Sequence, residues 1–169
     1  MACLRVLQFP DPRLKEPCQA IGGRAADWRA LAHDLTDTMK HYAGCVGLAA
    51  PQAGFLVRMI VFDVGRYRKK VEGHGLQVLM DPVVIETQNP QICREGCLSV
   101  PDYTGNVARF QEVTVEGRNE NGVRVVISAR GLEAVVLQHE LDHLEGVLFL
   151  DRVASLKTDI FRRKSYLHP

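Results

Sequence analysis

Residues 131–145 constrain the fold of this chain more than any other segment, because their pattern predicts a helix that is buried on more than one side. At 100° per residue, one narrow stripe of this helix carries Leu132, Val135, Val136, His139 and His143. Further apolar surface comes from Leu137, Leu141 and Leu144. Gly146 is the predicted end of the helix. The sequence therefore predicts a central helix with two histidines near the middle of an apolar stripe.

The two histidines lie four residues apart, in the segment His139-Glu140-Leu141-Asp142-His143. Two imidazoles at that spacing on one helix face can bind a single metal ion, and Glu140 points to the side, where it can reach a metal-bound water. The alternative is a pair of partly buried histidines with local hydrogen bonds, and the five-residue pattern alone leaves both open. Burial favours the ion, because a shared cation satisfies two of the four ring nitrogens.

A third protein ligand is needed, since a catalytic metal site usually has three protein ligands and one position for water. No third His or Glu follows at the spacing that is usual in metalloproteases with this motif. Cys97 is a candidate, because residues 95–99 combine a small residue, a thiol and a free backbone amide. Cys93 offers the same thiol group and is a competing candidate for the third ligand. The alternative for Cys97 is an inert buried thiol. The residues alone leave this ligand open.

The composition is that of one ordinary globular domain, which we expect to span residues 1–169. The chain is 46% hydrophobic and 24% charged, and its net charge of +1 gives no general electrostatic reason to expect nucleic acid. No apolar run approaches a membrane span, and the N-terminus lacks the layout of a secretory signal. Five scattered cysteines argue against a disulfide framework and favour the reducing cytoplasm.

Strands and helices do not alternate regularly along the chain, which favours an α+β fold over a doubly wound sheet. An amphipathic helix is predicted at 25–42, and an irregular segment at 44–54. Strands are predicted at 57–64, 77–80, 82–86, 113–118 and 123–128, the last two as a hairpin around an Asn-Gly turn. A short basic helix is predicted at 154–166. We expect antiparallel or mixed strands around a central metal-binding helix.

Three segments together resemble the motifs of the peptide deformylase family. They are Gly47-Leu48-Ala49-Ala50-Pro51-Gln52, Glu95-Gly96-Cys97-Leu98-Ser99 and Gln138-His139-Glu140-Leu141-Asp142-His143. Their order and separation are also similar to the family pattern, and residues 6–14 resemble its N-terminal stretch. The resemblance covers nearly the whole chain, and three motifs in order are a specific signal.

The resemblance implies that Cys97, His139 and His143 bind one divalent ion, with water in the fourth position. In this family the ion is typically Fe(II), and zinc, nickel or cobalt can replace it in purified material, since these ligands do not select among them. The implied reaction is hydrolysis of the N-terminal formyl group of formyl-methionyl nascent peptides, with release of formate. The implied partners are therefore nascent peptides, and no membrane is expected.

Roles for further residues also follow from the resemblance. Glu140 is the implied general base, which takes a proton from water and passes it to the leaving amine. The Gln52 side-chain amide and the Leu98 backbone N–H are the implied donors to the oxyanion, although Gln52 without the resemblance is better interpreted as a loop residue that caps backbone groups. The predicted substrate-binding residues are Val46, Gly47, Gly96 and Val136.

Two acidic residues are candidates to support the metal ligands. Glu95 is predicted to pair with Arg109 and to fix the loop that carries Cys97, with an exposed pair of little energetic value as the alternative. Asp142 is a candidate to hydrogen-bond a ligand imidazole, but it lies on another face of the helix, so the sequence favours a solvated carboxylate.

Cys45 departs from the family pattern, which usually has Gly two positions before Gly47. A side chain there can narrow the substrate cleft, move the loop, or bring a second oxidisable thiol near the site.

The basic run Arg162-Arg163-Lys164 has two interpretations. It is either a solvated helix end or, given the resemblance, a contact with ribosomal RNA that weakens with salt. The oligomeric state stays open.

Two other functions compete with deformylation. One is a metallopeptidase or amidase that acts on another N-blocked peptide, which the presence of Gln52 and Cys97 disfavours. The other is a non-catalytic metal-binding module, which Glu140 disfavours, because a structural site needs no base beside an open coordination position.

Overall fold

The computed structural model describes residues 3–164 except 24 and 68. Within them the strands are β1 (Gly47–Ala49), β2 (Met59–Phe62), β3 (Gln77–Cys97), β4 (Val100–Arg118), β5 (Arg124–Arg130) and β6 (Ile160–Arg162). The α-helices of this part of the chain are α1 (Arg29–His41), α2 (Leu132–Leu144) and α3 (Phe149–Arg152). Short 3₁₀ turns lie at Pro12–Lys15, Ala25–Trp28, Ala50–Ala53 and Val64–Arg66. No helix among the described residues is long and apolar enough to cross a membrane.

The strands form one antiparallel sheet in the order β1-β2-β3-β4-β5, and β6 pairs with β4 at one end. Its largest part is the long β3–β4 hairpin, which runs from the pair Met80 and Arg118 to the pair Cys97 and Val100. The register shifts between Gly96 and Cys97, where the hairpin reaches its tip. A bulge of this kind re-aims side chains next to a turn.

Helix α2 packs against β1, β2, β4 and β5. Its residues Leu137 and Leu144 are fully buried, in the same core cluster as Ile60, Phe62 and Val115 of the sheet. The helix therefore lies at the centre of the molecule, as its leucine pattern predicts. The α+β prediction, with antiparallel strands around this helix, is confirmed.

Helix α1 supports the other side of β1 and β2 through a second core cluster. Leu35 and Met39 pack there with Met59 and Val61 of β2. The helix predicted at 25–42 begins as the 3₁₀ turn Ala25–Trp28 and continues as α1. The periodic apolar positions therefore predict this helix correctly, except that its first turn is a 3₁₀ turn and not an α-helical one.

The predicted separation of two strands near Asp81-Pro82 is wrong as a break, because β3 is continuous from Gln77 to Cys97. An irregularity does lie there, since the register with β4 shifts between Met80 and Val83. Asp81 takes a positive φ of 50°, and its carboxylate accepts hydrogen bonds from the backbone N–H groups of Ile21 and Gly22. These partners hold an irregular residue inside a strand. The rest of β3 was missed because residues 85–90 are exposed, so no apolar alternation marks them.

The predicted helix at 154–166 is also wrong over its described part. Turns and bends occupy residues 154–159, and the chain then enters β6, where Tyr103 pairs with Arg162. Two backbone bonds flank this pairing, from Asn106 N–H to Asp159 O and from Arg163 N–H to Asp102 O, both 2.8 Å. The edge of β4 offers this segment backbone partners, and that tertiary contact overrides its helical pattern. Residues 165 and 166 of the prediction lie outside the described residues.

Candidate metal centre

Three side chains from two elements converge at the centre of the molecule. Cys97 ends β3, and His139 and His143 project from α2. One ligand atom of each lies within 4.8 Å of the others. The Cys97 Sγ is 3.2 Å from His143 Nε2. The group therefore combines one thiol with two imidazoles at close range.

This donor set fits a divalent cation. Bonds of about 2.3 Å to sulfur and about 2.0–2.1 Å to nitrogen place ligand atoms of one ion roughly 3.5 Å apart. The Cys97 Sγ and His143 Nε2 are 3.2 Å apart, and all three ligand atoms lie within 4.8 Å of one another. Burial alone would raise the pKa of the Cys97 thiol, but the imidazoles of His143 and His139 hold it well below its ordinary value. The thiolate is the form of cysteine that binds metals. The group can therefore hold one divalent metal ion, and its ligands alone do not select the element.

A buried ion pair orients His139. Its Nδ1 lies 2.8 Å from Glu95 Oε2, which leaves Nε2 as the nitrogen available to an ion. Arg109 donates two hydrogen bonds to Glu95, at 2.6 and 3.0 Å. Burial alone would raise the pKa of Glu95, but the bonds from His139 and Arg109 lower it to about 2. A carboxylate partner of this kind fixes the ring orientation of a ligating histidine.

Asp142 extends this network, and the prediction that it is solvated is wrong. It is buried and accepts a hydrogen bond of 2.8 Å from Arg109 Nη1. Arg152 of α3 donates two more, at 2.5 and 2.6 Å. Glu95 and Arg109 are themselves buried, so the alternative of an exposed pair is also wrong. The helical wheel shows which way Asp142 points but cannot show that Arg152, beyond the end of the helix, covers it.

Glu140 lies beside the ligands in a different environment. It is buried, and its Oε2 has no hydrogen-bond partner among the described residues. Burial raises its pKa to about 7. A Cβ on Gly47 would lie 2.5 Å from Glu140 Oε1 and 2.9 Å from Val136 Cγ1, so only glycine at 47 leaves room for this carboxylate. Glycine thus brings the β1 backbone against Glu140.

Gln52 bridges the first motif to the hairpin tip. Its Oε1 accepts a 2.9 Å bond from Ala49 N–H, which is the backbone capping that residue pattern alone suggests. Its Nε2 also lies 3.3 Å from Cys97 Sγ and 3.1 Å from Ser99 Oγ. One end of the amide is therefore anchored while the other points at the candidate metal ligand.

A cavity of about 670 Å³ opens beside the candidate metal centre, and two of the three ligands, Cys97 and His139, line it. Every predicted substrate-binding residue lines it: Val46, Gly47, Gly96 and Val136. Leu98, Glu140 and Gln52 line it as well, and so does the buried Cys45, whose Sγ lies 3.1 Å from Gly47 O. Cys93 does not line it, and its sulfur accepts a bond of 3.0 Å from Gln91.

Four residues were not identified from the sequence as part of the site: Ser99, Arg152, Arg94 and Phe161. Ser99 contacts Gln52, and Arg152 contacts Asp142. No local sequence pattern predicts either contact. Arg94 and Phe161 also line the cavity, with the guanidinium 3.4 Å above the ring centroid. The only available signal was the basic run that follows Phe161.

A family model described as polypeptide deformylase matches residues 3–159. The chain belongs to the peptide deformylase family. It is 43% identical over 164 residues to the peptide deformylase of Syntrophobacter fumaroxidans, covering 97% of this chain and 94% of that protein. The peptide deformylase of Thermodesulfovibrio yellowstonii is 38% identical over 164 residues, covering 97% of each chain.

Solved structures agree with this assignment. A peptide deformylase from Legionella pneumophila superposes with a TM-score of 0.83 at 35% identity, covering 92% of this chain and 89% of that one. The Ehrlichia chaffeensis enzyme in complex with actinonin gives a TM-score of 0.84 at 33% identity, covering 93% and 92%. The predicted family, fold class and enzyme class are confirmed, and this membership favours deformylation over the two competing functions. Deformylases are metal-dependent hydrolases that act on formylated nascent peptides.

Proposed function

We propose that this chain removes the formyl group from formyl-methionyl nascent peptides with one divalent cation held by Cys97, His139 and His143. The observation that carries the proposal is the convergence of these three ligand atoms within 4.8 Å at a cavity that also contains the unpaired Glu140. A bound divalent cation supplies a Lewis acid that lowers the pKa of water and polarises the formyl carbonyl.

Glu140 moves the proton in this proposal. Its carboxylate takes a proton from the attacking water while the water oxygen bonds to the formyl carbon. When the carbon–nitrogen bond breaks, Glu140 returns that proton to the methionyl nitrogen, and formate leaves. A pKa of about 7 suits both steps, since the same group must act as base and acid near neutral pH.

Gln52 and Leu98 stabilise the oxyanion. The Gln52 amide is held at its oxygen by Ala49 N–H, so the N–H that now points at Cys97 Sγ is already close to the oxyanion and needs only a small shift to donate to it. Leu98 follows the cysteine at the hairpin tip and lines the cavity, where we propose that its backbone N–H is the second donor. Donors that are oriented before the reaction stabilise developing charge at little cost.

The substrate binds as an extended strand along β1. This strand ends the path of the sheet, so the edge opposite β2 can accept a peptide. Gly47 allows close approach at that edge, and Gly96 faces it across the cavity. Val46 and Val136 supply apolar walls for the methionine side chain.

Further parts of the proposal concern the cellular setting. Fe(II) is the proposed ion, with zinc, nickel or cobalt as substitutes. The cytoplasm is the proposed location, and Cys3, Cys18, Cys45, Cys93 and Cys97 are all free thiols. Ribosome contact through Arg162, Arg163 and Lys164 stays a prediction, as does a single domain over residues 1–169.

A formate-release assay tests the function. Protein loaded with Fe(II) or Ni(II) without oxygen should release formate from formyl-Met-Ala-Ser. The acetyl-Met-Ala-Ser peptide is the matched control and should not be hydrolysed. No turnover at full metal occupancy would overturn the proposal, and hydrolysis of the acetyl peptide alone would favour another amidase.

A further inference from the structure

The cavity over the metal centre has a strongly cationic side. Four positively charged residues line it, which we call the cationic rim: Arg94, Arg162, Arg163 and Lys164. The whole chain has a net charge of only +1, so this is a local concentration of charge. The acidic residues that line the cavity are Glu95 and Glu140, and Glu95 is already paired with Arg109.

Arg163 is held close to the hairpin tip. Its backbone N–H donates to Asp102 O at 2.8 Å, and its Nη2 lies 3.3 Å from Cys97 O. The guanidinium occupies the space above Gly96, where an added Cβ would overlap with Nη2. Glycine at 96 therefore admits this arginine, which brings a positive charge to the backbone that carries a metal ligand.

Arg163 forms no salt bridge among the described residues. Its Nε is buried without a hydrogen-bond partner, and no carboxylate among residues 3–23, 25–67 and 69–164 forms an ion pair with it. An oxyanion bound in the cavity would complement this charge.

Arg94 is held in place by neutral groups. It donates to Asn106 Oδ1 at 2.9 Å and to Thr104 Oγ1 at 3.3 Å, and it stacks 3.4 Å above the Phe161 ring centroid. These partners fix the side chain without cancelling its charge. Because Phe161 belongs to β6, the pairing of β6 with β4 assembles the whole rim.

We propose that the cationic rim binds a carboxylate side chain on one of the two residues that follow formyl-methionine, so that the enzyme prefers nascent peptides with an acidic start. This rests on the proposed function, since the formyl group must lie at the metal centre for the following residues to reach the rim. Adjacent residues of an extended peptide are about 3.3 Å apart, so both positions stay near the cavity mouth. Charge complementarity of this kind sets specificity more than the rate of the chemical step.

Amidated peptides test the preference without a terminal carboxylate. Metal-loaded enzyme is assayed on formyl-Met-Glu-Ala-Ala-NH₂ and formyl-Met-Ala-Glu-Ala-NH₂, and on the same peptides with Gln or Lys replacing Glu. At low salt, kcat/KM should fall in the order Glu, Gln, Lys at one position at least, by about tenfold between Glu and Lys, mainly through KM. Added NaCl should narrow the difference.

Variants assign the effect to the rim. Two variants are compared with the wild type: the single change Arg163→Gln and the double change Arg162→Gln with Lys164→Gln. Each should reduce the ratio of kcat/KM for the Glu peptide to kcat/KM for the Lys peptide. Arg124→Gln is the matched control, because this exposed arginine pairs with Glu116 on β4 and does not line the cavity; its ratio should equal that of the wild type.

The outcomes separate the two proposals. Equal kcat/KM for Glu and Lys peptides, or a preference for Lys, would overturn the acidic preference alone. A Glu preference that survives unchanged in both rim variants would overturn the assignment to these residues. No turnover of any formyl peptide would overturn the proposed function and the inference with it.

Discussion

Two buried carboxylates next to the candidate metal centre differ in their hydrogen-bond partners and in their pKa. Glu95 accepts hydrogen bonds from Arg109 and His139, and these lower its pKa to about 2. Glu140 has an oxygen without a partner among the described residues, and burial raises its pKa to about 7. Both are buried to a similar degree, at 6% and 4% exposure.

Pairing with cations, and not depth of burial, therefore separates a supporting carboxylate from a reactive one. A buried acid with cationic partners is locked in its ionised form, so it can only orient its neighbours. A buried acid without such partners can gain or lose a proton near neutral pH, which general acid–base chemistry requires. The following variants test whether the two carboxylates have these different roles.

Removing the unpaired carboxylate should have the largest effect. Glu140→Ala should lower kcat by about 10²–10⁴-fold, because the proton has no carrier. Metal content, measured by elemental analysis, should stay unchanged, since Glu140 is not among the ligands. Normal turnover in this variant would show that the base is another group. Glu116→Gln, an exposed change on β4, should leave kcat intact.

Breaking the paired carboxylate should mainly affect metal affinity and stability. Glu95→Gln removes a buried charge opposite Arg109, which should cost about 3–5 kcal/mol of unfolding free energy. Metal affinity should fall by about 10–100-fold, because His139 loses its orienting partner. Denaturant titration and competition with a chelator measure the two effects.

The exposed pair of Glu116 and Arg124 is a matched control for that variant. Its hydrogen bonds of 2.6 and 2.7 Å resemble those between Arg109 and Glu95, but the Arg124 side chain is 71% exposed. Glu116→Gln should therefore cost much less unfolding free energy than Glu95→Gln. Equal losses in the two variants would show that burial of the Glu95 pair carries no extra stability.

Crowding the unpaired carboxylate should have an intermediate effect on activity. In Gly47→Ala the new methyl group would overlap Glu140 Oε1, so the carboxylate must move. A displacement of about 1 Å can cost up to about 10²-fold in rate, and kcat measures it. Gly23→Ala is the control, because nothing lies within 4 Å of a Cβ at that position. Unchanged kcat in Gly47→Ala would mean that the position of Glu140 is not critical.

The smallest expected effect is a pH dependence of stability. The pKa of Glu95 is lowered from an ordinary 4.5 to about 2. The stability that its ionised form contributes is therefore complete above pH 4.5 and is lost as the pH falls towards 2. The difference in unfolding free energy between wild type and Glu95→Gln should shrink over that range. A constant difference would contradict the lowered pKa.

Helical periodicity predicts much of the candidate site because it is a local property. The stripe of Leu132, Val135, Val136 and His139 does line the cavity, together with Glu140. The leucines of the same helix enter the core, as their positions predict. Strand β3 is harder to predict, because its exposed middle lacks apolar alternation and Asp81 looks like a break.

The surroundings of the site depend on distant segments. Glu95 and Asp142 are polar positions in the sequence, and their burial is made favourable by Arg109, Arg152 and His139. The basic run at 162–164 has a helical pattern, but pairing of β6 with β4 turns it towards the cavity. A chain segment near an unpaired strand edge gains hydrogen bonds that a helical propensity cannot match.

By itself, the sequence determined the central helix, its histidine stripe and the family motifs, since each depends on residues that are close along the chain. Tertiary contacts bring Cys97, which the residues without the family motifs leave open as a ligand, to His143 across 46 residues, and they alone cover Asp142 and place Arg163 above Gly96. The physical reason is that hydrogen-bond register, a bulge and strand pairing set these contacts, and none of them leaves a periodic signal in the residues concerned.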